Sequence, residues 1–185
     1  MKKLHSSWTQ TVSCGFAVLV VAVLLQSSGF AQNYGQQIAV MKMMNPNLKS
    51  VGVFGSALTD KNVQDLTRAG LGQGVQIVIG RPKDAREISS IYKKMVSEKS
   101  IQLIWIPDAS DQLMVGVGFE FLRSNALPDK IGLIVPNTSM LASGALCTVQ
   151  LEGGKLTAYV NSQVAGLLGA NTPSDPASGI AFVAK

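Results

Sequence analysis

The sequence predicts an α/β domain: a mostly parallel sheet with helices on both faces. Short apolar runs rich in Val and Ile alternate with segments of helical period along most of the chain. Several of these runs are apolar at nearly every position rather than at every second one, which is the pattern of strands buried on both faces. No internal repeat and no long linker breaks the alternation, so one domain carries it.

The first 31 residues stand apart. Lys2 and Lys3 give a positive start, an apolar run follows from Val12 to Leu25, and Gly29 and Ala31 occupy −3 and −1 of a small-residue cleavage site before Gln32. The expectation is a cleavable signal peptide over 1–31 and one α/β domain over 32–185, exported to a periplasm or secreted. An uncleaved anchor is the competing reading; the apolar run is shorter than the roughly 20 residues a span needs. Cys14 lies at the start of the apolar run rather than behind it, so a lipidated cysteine is rejected.

The elements follow in order. The segment 34–45 reads as a helix stopped by Pro46, and 51–54 as the first strand. Asp60 is expected to cap a helix through Leu71 that buries Val63, Leu66, Ala69 and Leu71, with Gly72 and Gly74 ending it. The second strand is 75–79. Asp84 and Glu87 have the spacing of a capping box with Asp in place of the hydroxyl residue. Ile88, Ile91, Tyr92, Met95 and Val96 then form one helical stripe, read as core. A third strand, 101–106, ends at Pro107. Ser110 or Asp111 opens a helix with Leu113, Met114, Val117, Phe121 and Leu122. The fourth strand, 131–135, ends at Pro136, and a short turn over 139–143 precedes a strand-like stretch at 145–149. The segment 155–168 reads as a helix on Leu156, Tyr159, Val160, Val164, Leu167 and Leu168, ended by Gly169. The segment 171–178 is a loop, and 180–183 a last strand.

Charge and composition exclude several functions. Loss of Lys2 and Lys3 reduces the 16 basic residues to 14 against 11 acids, a net charge of about +3. No basic stripe interleaved with aromatics appears, so nucleic acid is not expected as a partner. His5, the only histidine, falls in the signal segment, and Cys147 is then the one remaining cysteine. Imidazole–thiolate metal sites cannot be assembled from that set, and a serine or cysteine nucleophile lacks its usual base. The acids are scattered with no close pair set for acid–base work. The expectation is a protein that is not an enzyme and uses no metal or cofactor. Cys147, in an apolar stretch, is expected to be buried and free.

In parallel α/β sheets, ligands gather outside the carboxyl ends of the strands, at a topological switch point. That rule selects the loops after the first four strands, and with them Ser56, Arg81, Asp108, Asn137, Thr138 and Ser139 as polar ligand contacts, Arg81 orienting an anionic group. Turns select the same residue types for structural reasons, so these remain candidates. Gly70-Leu71-Gly72-Gln73-Gly74 follows a helix and precedes a strand, the reverse of a phosphate cradle. Gly52-Val53-Phe54-Gly55-Ser56 lacks a full dinucleotide fingerprint.

Gln36-Gln37 followed by Asn45-Pro46-Asn47-Leu48-Lys49-Ser50-Val51-Gly52-Val53 resembles the start of the second lobe in bacterial ABC-transporter substrate-binding proteins. Ile104-Trp105-Ile106-Pro107-Asp108 resembles that family's apolar strand followed by Pro and Asp. Ile131 to Pro136, Ser143-Gly144-Ala145-Leu146 and the segment 154–168 continue the likeness. The resemblance implies one lobe of a periplasmic-binding-protein-like fold, a small-molecule ligand, and delivery to a membrane transporter. Ala109 and Ser110 depart from the family's Asn-Thr after the aspartate, and the expected signal runs almost directly into the second lobe. One lobe covers one face of a ligand, so binding calls for a homodimer or a separate partner. The alternative is a periplasmic interaction or sensory subunit that keeps the fold without a ligand, docked on a membrane receptor, an outer-membrane protein or another copy of itself.

Overall fold

The computed structural model describes residues 31–172 and 180–185. The expected signal segment therefore lies outside the described residues except for Ala31, and most of the 171–178 loop lies outside them as well. Residues 34–185 form one compact unit. No helix among the described residues is long and apolar enough to cross a membrane.

Chain order is α1 (Ala31–Met44), β1 (Ser50–Phe54), α2 (Asp60–Gly72), β2 (Gln76–Gly80), α3 (Ala85–Lys99), β3 (Leu103–Trp105), α4 (Phe119–Ala126), β4 (Gly132–Ile134), β5 (Cys147–Glu152), β6 (Lys155–Val160), α5 (Ser162–Leu168) and β7 (Ile180–Ala184). The strands make one sheet in the order β2-β1-β3-β4-β5-β6-β7, with every neighbouring pair parallel except β5 and β6. The mostly parallel α/β sheet expected from the sequence is the one observed.

Both faces of the sheet are covered, which explains the continuous apolar strands. One core joins Ile38, Met41 and Met44 of α1, Leu66 of α2 and Val164 and Ala165 of α5 to Val51, Val53 and Trp105. The other joins Ile88, Tyr92 and Met95 of α3 and Phe119 and Leu122 of α4 to Phe54, Ile104 and Leu133. Side chains alternate across a strand, so Val53 and Phe54 serve opposite cores.

Helix ends differ in detail from the sequence reading. Thr59, not Asp60, caps α2: Thr59 Oγ1 accepts from Asn62 N–H at 3.2 Å, and Asn62 Oδ1 accepts from Thr59 N–H at 3.0 Å. Val63 and Ala69 are half-buried and Leu71 is 74% exposed, because only Leu66 and Gly70 of that helix face fully inward. Asp84 caps α3 as expected, accepting from Arg86 N–H at 2.8 Å and Glu87 N–H at 3.3 Å. The Glu87 carboxylate reaches back to Lys83 N–H at 2.8 Å, one residue before the cap. The helix expected from Ser110 or Asp111 begins with a π-helical turn, Met114–Gly118, in which Gly116 leaves helical geometry (φ −95°, ψ −112°). That break turns Val117 out to 53% exposure.

The larger correction is at 155–168. Its first half is strand β6, antiparallel to β5, and only Ser162–Leu168 is helical. Leu156, Ala158 and Val160 alternate onto the buried face, a period-2 pattern that overlaps the helical stripe in so short a segment. Gly153 (φ 56°) and Gly154 (φ 79°) decide the matter, since two consecutive left-handed residues form the tight turn that twists correctly into a hairpin. Asn161 then caps α5 through Val164 N–H at 3.1 Å, and Gly169 ends it at φ 64°.

β5 pairs with β4 only at Ile134↔Cys147, so Thr148 to Glu152 run on past the carboxyl ends of β1–β4, and β6 returns beside them. The hairpin stands as a wall beside that edge. Cys147, at its base, is free and fully buried, and burial pushes its thiol up to about 12.

Candidate functional site

The order β2-β1-β3 places the switch point between β1 and β3: the chain leaves β1 in one direction to β2, then resumes on the other side at β3. Registers Phe54↔Gly80, Val53↔Trp105 and Trp105↔Ile134 put the ends of β1–β4 at one edge of the sheet. Ser56 follows β1 and Asp108 follows β3, so these two flank the crevice. Arg81 sits one strand outward, after β2. Asn137, Thr138 and Ser139 sit on the other side, after β4 and against the β5–β6 hairpin.

Each predicted residue has a definite local role. Ser56 N–H and Oγ both donate to Asp111, at 2.6 and 2.7 Å. Asp111 also accepts from Met114 N–H at 3.1 Å and is only 5% exposed. Asp108, half-buried, accepts at Oδ1 from Ser110 N–H at 2.8 Å and Ser110 Oγ at 2.7 Å, a local turn. Arg81 holds Asp60 with both terminal nitrogens at 2.9 Å, an exposed pair. Asn137 precedes the 3₁₀ turn Thr138–Met140 and is half-buried; its side chain has no hydrogen-bond partner among the described residues. Thr138 and Ser139 are exposed.

Three contributors were not selected from the sequence. Tyr34, near the start of α1, stands edge-on to Trp105 at the end of β3, with centroids 5.6 Å apart and planes at 83°. Burial raises the Tyr34 hydroxyl pKa, the Asn62 side chain opposes that by hydrogen bonding, and the Asp65 and Asp108 carboxylates add to the rise. Tyr34 thus lies near Asn62 and within the field of the Asp65 and Asp108 carboxylates. Asp111 binds Ser56. The only sequence trace of that role is the Asp111-to-Met114 cap spacing; Tyr34 and Asn62 left none.

The strand ends at this edge thus carry the polar groups of Ser56, Asp108 and Asn137, with Tyr34 packed on Trp105 at the end of β3. Among the described residues, no group of three or more His, Cys, Asp or Glu could hold a metal ion.

None of the known protein-family models matches this chain, and no curated protein sequence does. Solved structures do. The chain is similar to the ABC domain from Streptococcus pneumonia in complex with L-Trp, at 20% identity and TM-score 0.67, with 81% of this chain on 61% of that one. It is similar to a conserved domain protein from Vibrio cholerae at 16% identity and TM-score 0.64, 82% on 60%. It is also similar to the ligand-free, open structure of a substrate binding protein with adhesive properties from Clostridium difficile, at 17% identity and TM-score 0.60, 80% on 58%. The chain thus spans about three-fifths of the length of these proteins. The likeness is one of fold: the chain carries the α/β fold of a single periplasmic-binding-protein-like lobe.

Proposed function

We propose that this protein is an exported small-molecule binding protein, periplasmic or secreted, that uses one substrate-binding-protein-like lobe to hold its ligand. The observation that carries the reading is the β1/β3 switch point, flanked by Ser56 after β1 and Asp108 after β3, with Tyr34 packed on Trp105 at the end of β3. Tyr34 offers a hydroxyl and a ring face, Asp108 a carboxylate oxygen, and Asn137 an amide from the β4 side. A similar fold holding L-Trp makes an amino acid the first ligand class to try. One lobe covers one side of such a ligand, so a second surface, from a copy or a membrane transporter, completes the enclosure.

The test is a thermal melt of the protein with and without a panel of L-amino acids, L-Trp included. The expected result is a ligand-dependent rise in Tm that Asp108→Ala and Asn137→Ala together remove without unfolding the protein. Native mass spectra with no retained small molecule, and melts that no ligand shifts, would sink the reading.

A second reading is an interaction or sensory subunit that keeps the fold and binds no ligand. It is favoured by one observation: Ser56, Asp108 and Arg81 already spend hydrogen bonds on Asp111, Ser110 and Asp60. That subunit would be retained by crosslinking on a specific partner and would ignore the ligand panel.

A further inference from the structure

We infer that β7 is the seam of a two-fold dimer, pairing antiparallel with β7 of a second copy about Phe182. β7 closes one edge of the sheet: it pairs with β6, and its other side has no strand partner among the described residues. Lys185 N–H donates inward to Val160 O at 2.9 Å. Backbone direction alternates along a strand, so the N–H and C=O groups of Ile180, Phe182 and Ala184 face outward. Natural edge strands are blunted by charge, proline or a bulge, and Ile180-Ala181-Phe182-Val183-Ala184 contains no such device.

The strand complements itself. Antiparallel pairing about Phe182 places Ile180 opposite the partner's Ala184 and Ala181 opposite the partner's Val183. All the outward-facing residues then fall at hydrogen-bonded positions, and Phe182 meets the partner's Phe182 on the axis. The seam carries no charge, so pairing two copies brings no like charges together within it.

A groove of about 370 Å³ runs beside the strand on the α5 face, lined by Val160, Ala165, Gly166, Ala170, Phe182 and Ala184. A two-fold axis through the seam sets the two grooves side by side on the same face of a continuous sheet. A strand pair of five residues buries far less than the roughly 1,600 Å² of a standard interface. The dimer is therefore a weak one that forms as concentration rises. The interface is isologous and closes on itself.

The experiment is sedimentation of the full chain, processed as its host processes it, over a wide range of concentration. The expected result is a dimer whose dissociation constant rises by at least about tenfold in Ala181→Lys, since Ala181 is exposed and a lysine there opposes the seam and leaves the core alone. The double variant Ala181→Cys with Val183→Cys checks the register independently. Those positions face each other at a non-hydrogen-bonded pair, where side chains lie closest, so oxidation should link the copies covalently. A monomer at every concentration overturns the proposal. So does an Ala181→Lys dimer of unchanged strength, or a dimer in which the cysteine pair does not crosslink.

Discussion

The Asp111 carboxylate takes two hydrogen bonds from Ser56, one from its N–H at 2.6 Å and one from its hydroxyl at 2.7 Å. Fifty-five residues separate them in the chain. The pair ties the loop after β1 to the loop after β3 across the switch point, and Asp111 holds the first turn beyond β3 through Met114 N–H. The two loops are therefore held together at the switch point.

Asp111→Ala should destabilise the protein by about 2–3 kcal/mol, since hydrogen bonds to a charged group contribute about 1.5–3 kcal/mol and the partners are left unmet. Asp111→Asn should cost less, because it can still accept from Ser56. Urea unfolding of both variants measures this; equal stability of Asp111→Ala and the parent would remove the clamp from the account.

Cys147 should resist thiol reagents in the native protein near neutral pH and react once the chain is unfolded. Burial raises its folded value from about 9 to about 12. The unfolded chain releases the proton first, so this group's contribution is fully present below about pH 9 and is lost as pH rises from about 9 to about 12. Melting temperatures across that window, compared with Cys147→Ala, isolate the effect; a parallel fall in both proteins would assign it elsewhere.

Gly154→Val should destabilise the β5–β6 hairpin by about 1–2 kcal/mol, the cost of placing an L side chain in left-handed backbone. Gly153→Asn should be nearly neutral, since Asn visits that region. Melting curves of the two variants should therefore separate; identical losses would mean that the turn geometry is not what they report.

Gly70→Ala should cost about 1–3 kcal/mol, the usual range for overpacking. A methyl group there would stand 2.6 Å from Val75 O and 2.5 Å from the Ile77 side chain. The backbone oxygen cannot rotate away as a side chain could. Gly72→Ala, on the same helix with open space around it, should be neutral or slightly stabilising and serves as the control.

The strands β1–β4 were legible because strands covered on both faces read as unbroken apolar runs, and Ile88, Tyr92 and Met95 kept one clear helical stripe. β6 was not, because Leu156, Tyr159 and Val160 satisfy a helix as well as a strand when only six residues are available. Gly153-Gly154, just ahead of the expected helix, was the arbiter and was not read as a hairpin turn. Strand-end logic located Ser56 after β1 and Asp108 after β3, where the chain order has them. It could not find that Asp111 binds Ser56, since a contact between loops so far apart leaves no local periodicity. Tyr34 entered only through packing on Trp105.

The β5–β6 hairpin also bears on how the chain assembles. Among the described residues it is the one strand pair joined by a tight turn; β1 with β2 and β3 with β4 meet across intervening helices. Local hairpins close in about 1–10 μs, whereas pairings that must first close a long loop come later. Synthesis runs from the amino terminus, so the fastest contact in the sheet belongs to a part of the chain made after β1–β4. The first four strands then emerge without their quickest nucleus, and the unfinished chain stays loose until Cys147–Val160 is complete. Pulse-labelled hydrogen exchange during refolding should protect β5 and β6 before β1 and β2; the opposite order would place the nucleus in the parallel half.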